Sequence, residues 1–350
     1  MIRVGIIGAG NWGKNHVRTF SGLDNVVLTA IADGRPEIRS AVEKQYPTVT
    51  AFGDAGDLIS SSEVDAIVVA TPSPTHADLA CAALRAGKHV FVEKPLAISI
   101  EDAEAIQQEA KRAGRVLMVG HLLLYHSAVH FLKQCIDSGE LGKTLYMYCE
   151  RLNLGVIRPD ENALWSLGPH DISIVRYLMP GEIADVSARG AAYVQDGVQD
   201  VVFVNLRYRD GRMANIHLSW LDPHKVRQIT LVGDEKMAVF DDMAAQEKVR
   251  IYDKGAERSA DAVGYSESLA VRSGDILIPK IAMKEPLRTE ANHFIECIVE
   301  GKTPISDGQN GVDVVRLLDA AQRSLESGGL PVPIGTGGTK ESGIEAEVTT

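Results

Sequence analysis

The chain has 350 residues, enough for two domains with a core each, and its 45% hydrophobic and 24% charged content is ordinary for a globular protein. A formal net charge of −11 argues against a nucleic-acid or anionic-membrane binder, but leaves room for a local basic pocket around a small anion. Cys81, Cys135, Cys149 and Cys297 lack metal-ligand spacing, the N-terminus runs straight into a strand pattern, and no apolar run approaches the roughly 20 residues of a membrane span; a metal-free protein of the reducing cytoplasm is expected.

Strands are predicted at 2–7, 26–33, 66–70, 89–92 and 116–119, alternating with helices at 12–21, 36–45, 55–60, 75–86 and 101–113. Such alternation implies right-handed βαβ crossovers and a parallel sheet, with ligands bound beyond the carboxyl ends of the strands. The first strand runs into Gly8-Ala9-Gly10-Asn11-Trp12-Gly13, and Asp33 follows Gly13 by twenty residues at the end of the second strand. A glycine loop between strand and helix, with an acid at that spacing, is a dinucleotide-binding fingerprint. Gly8 allows the tight turn, Gly10 lets the backbone approach a pyrophosphate, and Gly13 lets helix and strand pack closely. Asp33 can accept from both ribose hydroxyls and would repel a 2′-phosphate, which favours NAD over NADP; Arg35 nearby tempers that preference. The alternative for Asp33 is a plain helix cap before Pro36.

Further along, Ala70-Thr71-Pro72 with His76 ends a buried strand in a stiffened turn, placed to lie against the cofactor or simply to start a helix. Glu93-Lys94-Pro95 follows the strand His89–Val92. A lysine at such a strand end is placed for proton transfer, its pKa lowered by burial and a cationic ring, and a cis Lys94–Pro95 bond is compatible with the sequence.

After residue 122 the pattern changes. Helices are predicted at 127–137, 169–178, 287–300 and 309–326, and strands at 145–152, 183–193, 200–207, 213–220, 226–232 and 237–240. Consecutive strands with Asp210-Gly211 as a hairpin turn imply a largely antiparallel sheet, hence an α+β second domain. Residues 242–285 show no clear pattern, and the tail from Gly335 reads as disordered. The expected division is 1–121 for the dinucleotide-binding domain, 122–334 for the substrate and oligomerisation domain, and 335–350 for the tail. Gly168-Pro169 is read as opening a helix, so that His170 sits in its first turn, where the positive dipole end favours a neutral, proton-accepting imidazole.

These residues resemble the glucose–fructose oxidoreductase / inositol dehydrogenase / rhizopine catabolism family of NAD(P)-dependent sugar oxidoreductases. The similarity spans residues 1 to about 330 and rests on the glycine loop, Ala70-Thr71-Pro72 with His76, Glu93-Lys94-Pro95 and Gly168-Pro169-His170-Asp171. It implies that Lys94 and His170 are the catalytic pair, that NAD is the cofactor, that the second domain carries an open-faced sheet, and that the chain forms a homo-oligomer. Ser166 stands where inositol-type members carry an aspartate, and serine cannot supply the same anionic relay. The stretch from Arg151 to Trp165 resembles that of members acting on UDP-N-acetylglucosamine at C3. There Arg151 and Arg158 would contact a diphosphate, Asn153 and Asn162 would hydrogen-bond the sugar, and Trp165 would stack, unless the loop is merely a polar connection. Tyr125, His126 and the segment Trp220–Arg227 are further candidates for lining the cleft. The leading expectation is oxidation of a sugar secondary alcohol, or the reverse reduction. A free-polyol dehydrogenase and a non-catalytic dinucleotide binder are the alternatives.

Overall fold

A computed structural model describes residues 1–155, 157–258 and 269–335, so most of the tail expectation lies outside the described residues. The first half is β1 (Ile2–Ile7), α1 (Gly13–Ser21), β2 (Val26–Ala32), α2 (Pro36–Gln45), β3 (Thr50–Phe52), α3 (Ala55–Ser60), β4 (Ala66–Val69), α4 (His76–Arg85), β5 (His89–Glu93), α5 (Ile100–Ala113) and β6 (Leu117–Gly120). The strands form one parallel sheet in the order β3-β2-β1-β4-β5-β6. The fully buried runs Ala66–Val69 and Val90–Val92 are what a sheet covered on both faces demands. The order reverses beside β1, so the loops after β1, β2, β4 and β5 converge on one crevice.

The second half is α6 (Ser127–Asp137), β7 (Thr144–Leu152), α7 (Ala163–Leu178), β8 (Ile183–Ala191), β9 (Val201–Tyr208), β10 (Met213–Ser219), β11 (Val226–Gly233), β12 (Met237–Asp241), β13 (Val249–Arg258), β14 (Leu269–Leu277), α8 (Pro286–Glu300), α9 (Gly308–Glu326) and β15 (Val332–Pro333). Nine strands form a mixed sheet, β14-β13-β12-β11-β7-β10-β9-β8-β15, antiparallel except for the parallel pair of β7 and β10. Alternation sorts its faces. Met147, Cys149, Ile216, Leu218, Ile229 and Leu231 are buried, whereas Tyr146, Phe203 and Met213 remain partly open. No described helix is long and apolar enough to cross a membrane.

Three readings need correction. The region 242–285 contains the hairpin of β13 and β14, an edge pair whose outward Val271 and Ile276 weaken the burial signal. The short strands β3 and β15 carry too few residues to show a period. Helix α7 begins at Ala163, not at Pro169, because Asn162 caps it by accepting a hydrogen bond from the Trp165 amide at 3.1 Å. Pro169 is therefore inside the helix, and His170 lies well past the first turn. The dipole argument for a neutral His170 falls with it.

Candidate active site

The glycine loop leaves β1 with Gly8 at φ +87°, a backbone that glycine alone adopts readily. A Cβ on Gly13 would lie 1.8 Å from the Gly8 carbonyl oxygen, so α1 can start this close to the strand only without a side chain there. The Ala9 amide donates to Asp33 Oδ2 at 3.1 Å, which ties the loop to the acid at the end of β2. Arg35 grips the same carboxylate through Nε and Nη2, at 2.9 and 2.8 Å, and this grip holds Asp33 below the usual carboxylate range against the opposing effect of burial.

Gly8, Gly10, Asn11, Trp12, Asp33, Thr71, Pro72, Glu93 and Lys94 line one continuous cleft of about 1290 Å³, which extends to Arg158, Asn162 and Trp165 on the second domain. Gly13 and His76 lie behind its wall. His76 is buried with Nδ1 2.8 Å from the Pro95 carbonyl and Nε2 3.0 Å from that of Thr71. It braces the loop after β4 against the loop after β5, and its ring does not reach the cleft.

Glu93 closes β5 and links the glycine loop to the lysine. Its Oε1 accepts from Trp12 Nε1 at 2.5 Å and lies 2.6 Å from His16 Nε2, while Oε2 accepts from the Lys94 amide at 3.1 Å. Sequence reasoning missed His16. It stands four residues after Trp12, a spacing that places both on one side of α1, and this was the available signal. The Lys94–Pro95 bond is cis.

Lys94 Nζ donates to the carbonyl of Ser166 on α7 at 3.3 Å, one turn before His170. Lys94 thus reaches across the junction of the sheets to the helix that carries His170. Burial lowers the Lys94 pKa, and Glu93 and Glu161 push it back up. Burial, reinforced by Lys94 and Arg151, holds His170 well below the ordinary histidine value, and its Nδ1 is buried without a partner. His121, also missed, is fully buried with neither ring nitrogen partnered, and burial pushes it down to about 3.

The substrate-side residues divide. Arg151 is buried, its Nε and Nη2 committed to Asp171 at 2.5 and 3.0 Å, so it is not free to meet a diphosphate. Asn153 Oδ1 accepts from Arg227 Nη2 at 2.9 Å. Asn162 lines the cleft, but its amide nitrogen donates to Gln199 and Gln322, both at 2.9 Å, while its oxygen caps α7. Arg158 stands half-exposed at the rim, paired with Glu161. Tyr125 is buried against Ser306 Oγ at 2.9 Å, His126 caps α6 and faces Asp242 at 3.5 Å, and Trp220 is buried, so none of the three lines the cleft.

Known proteins match along this architecture. Residues 2–121 match the oxidoreductase family with an NAD-binding Rossmann fold, and residues 129–239 match the Gfo/Idh/MocA C-terminal domain. The myo-inositol 2-dehydrogenase of Thermotoga maritima is 28% identical over 93% of this chain and 96% of its own length. An inositol 2-dehydrogenase of Klebsiella pneumoniae is 30% identical over 62% of this chain and 67% of its own. Among solved structures, the UDP-N-acetylglucosamine 3-dehydrogenase of Acidithiobacillus ferrooxidans superposes with a TM-score of 0.79 at 26% identity, covering 93% of this chain and 98% of that one.

Proposed function

The chain belongs to the Gfo/Idh/MocA oxidoreductase family, and from that premise we propose an NAD-dependent dehydrogenase that oxidises a secondary alcohol of a sugar, with C3 of UDP-N-acetylglucosamine as the reacting position. The same site would run the reduction of the keto sugar. The observation that carries the reading is Lys94 Nζ held 3.3 Å from the Ser166 carbonyl, on the helix that bears His170, at the inner end of the cleft that begins at the glycine loop.

The residues of the cleft fit a dinucleotide. Gly8 and Gly13 let the loop and α1 pack tightly against the sheet, Gly10 faces the cleft without a side chain, and the Asp33 carboxylate stands ready to accept from ribose hydroxyls once Arg35 swings aside. The bound nicotinamide supplies the hydride acceptor. The chain's own residues hold the alcohol and take its proton. Of the two candidates, Lys94 is the better base. Burial disfavours its charged form, and its ordinary value starts high enough for the amine to remain a competent acceptor. His170 would have to become an imidazolium in a pocket that already holds Lys94 and Arg151 and opposes any further positive charge. A neutral His170 instead orients the hydroxyl.

Ser166 in place of an aspartate, together with Arg158 and Trp165 at the rim, supports a nucleotide sugar over a free polyol. The similarity to myo-inositol 2-dehydrogenase over nearly the whole chain favours the polyol as the second reading. We read the open face of the large sheet, around Tyr146, Phe203 and Met213, as the surface on which copies of the chain associate.

The test follows nicotinamide absorbance with NAD across UDP-N-acetylglucosamine, UDP-glucose, N-acetylglucosamine, glucose and myo-inositol. Turnover is expected with UDP-N-acetylglucosamine. Lys94→Met should lose it by at least ~10²–10⁴-fold while NADH still binds. Efficient turnover of myo-inositol, with UDP neither binding nor inhibiting, would give the polyol reading its place.

A further inference from the structure

The register of the large sheet sets Arg227 on β11 directly opposite Arg151 on β7. Opposite residues share a face, and this is the buried one. Arg151 continues the line of Met147 and Cys149, and Arg227 that of Ile229 and Leu231. Two like charges therefore end adjacent core-facing rows where α7 brings in Asp171 and His170.

Their partners differ. Arg151 gives its Nε–Nη2 edge to Asp171. Arg227 has neutral acceptors only: Nη1 donates to the carbonyls of Leu152 and Val226 at 3.0 and 2.8 Å, and Nη2 to Asn153 Oδ1 at 2.9 Å. A guanidinium carries five N–H groups, so these three bonds leave Nε–H and one Nη2–H. That remaining edge is the one that Arg151 offers to Asp171 and Arg35 to Asp33. Among the described residues no carboxylate takes it. The Asp242 carboxylate is shared by His126 at 3.5 Å and Lys248 at 3.4 Å.

Arg227 is a half-buried cation opposite another arginine, close enough to His170 to weaken its basicity, and its open edge is not among the buried unpartnered groups of the described residues. Burial and Arg151 together pull Arg227 down to about 10 against the attraction of Asp171 and Asp242, which still leaves it charged at neutral pH. The arrangement becomes favourable when an oxyanion occupies the open edge, where two parallel N–H groups match a carboxylate or phosphate.

We infer that Arg227 is an oxyanion-binding, specificity-determining residue of the substrate pocket, receiving a phosphate or carboxylate group of the substrate beside His170. The inference rests on the sugar-dehydrogenase reading and names what that reading leaves open, the cation that replaces Arg151 as the anchor of an anionic substrate.

The experiment titrates the NADH-loaded protein with UDP, glucuronate and neutral N-acetylglucosamine, in wild type, Arg227→Met and Arg227→Lys. Arg227→Met should weaken UDP or glucuronate by about 10- to 100-fold, as expected for loss of a charge-assisted pair, and leave N-acetylglucosamine nearly unaffected. Arg227→Lys should recover part of the loss, since it keeps the charge without the fork. Unaltered NADH binding checks the fold of each variant. A loss confined to UDP identifies a diphosphate; a loss confined to glucuronate identifies a carboxylated sugar, and in that case Arg227 stands while the nucleotide-sugar reading falls. If UDP binds equally well to Arg227→Met and glucuronate shows no dependence on Arg227, the nucleotide-sugar reading survives and the assignment is overturned. Equal weakening of the neutral sugar overturns it too.

Discussion

At the residue scale, the behaviour of Lys94 depends on two opposing effects a few ångströms apart. Burial drives the ammonium toward the free amine, and the Glu93 carboxylate resists, while Trp12, His16 and the Lys94 amide fix that carboxylate in place. Removing the negative charge with little change of shape should therefore make Lys94 easier to deprotonate. In the oxidation direction the base must be neutral, so kcat/KM rises as pH climbs through the Lys94 pKa. Glu93→Gln should move that rising limb to lower pH, by up to about one unit for each 1.4 kcal/mol of lost attraction. A pH profile from stopped-flow or steady-state rates reads it directly. A limb that stays in place, or moves to higher pH, would take the proton-accepting role away from Lys94. His170 cannot mimic the result, because burial and the surrounding cations hold its own titration well below neutrality.

At the element scale, α8 carries an anomaly that has little to do with the chemistry. Glu290 is fully buried with both carboxylate oxygens unpartnered, and burial, with Glu93 adding to it, raises its pKa well above the ordinary value of 4.5. A carboxyl group whose folded pKa is raised favours the fold fully only below its unfolded value, and that contribution is lost as pH rises toward the folded value. Glu290→Gln removes the titration. The variant should melt above wild type at pH 8, by roughly 1–2 °C per kcal/mol relieved, and the gap should shrink as pH falls toward 4.5. Melting curves at several pH values decide it; a variant less stable at pH 8 than wild type would show that the carboxylate has a partner when charged. The elements also explain what was legible beforehand. The parallel sheet and the glycine loop could be read because their signals are local: apolar runs, helix spacing, and an acid at fixed distance from Gly13. Helix α7 was misread because Pro169 imitates a helix start, while the true start depends on Asn162, whose amide is held by Gln199 and by Gln322 on α9. The commitment of Arg151 to Asp171 and the placing of Arg227 opposite Arg151 follow from strand register and from a helix laid across it. Neither spacing nor composition carries that information.

At the scale of the whole molecule, the last two helices return to the first sheet and fasten the two halves around the cleft. The Val119 amide donates to the Ser306 carbonyl at 2.7 Å, and Ser306 Oγ donates back to the Val119 carbonyl at 2.6 Å. From there α9 runs against α5 and β6 on one side and α7 and β8 on the other, with Arg316 paired to Glu104 and Arg176 to Asp313. Its far end places Gln322 and Glu326 at the rim of the cleft. A close approach near the lysine is at Gly311, where an added Cβ would lie 2.7 Å from Val119 Cγ2 and 2.8 Å from Leu96 Cδ2. Leu96 is two residues past Lys94, so pressure on it bears on the lysine. Gly311→Ala sets the better helix propensity of alanine against this contact, and the two nearly cancel. Gly311→Val adds two more methyl groups with a restricted rotamer, and the clash wins. Overpacking of this kind should cost about 1–3 kcal/mol of stability. It should also push Leu96 and the Lys94–Pro95 corner away from Ser166, so that kcat falls several-fold while NADH affinity, set at the glycine loop across the sheet, changes little. Thermal melts alongside NADH titration and kcat measure all three quantities on one sample. If Gly311→Val melts with wild type, α9 is not the clamp. If it loses NADH affinity in step with kcat, the strain has spread through the first sheet instead of passing through Leu96 to the lysine.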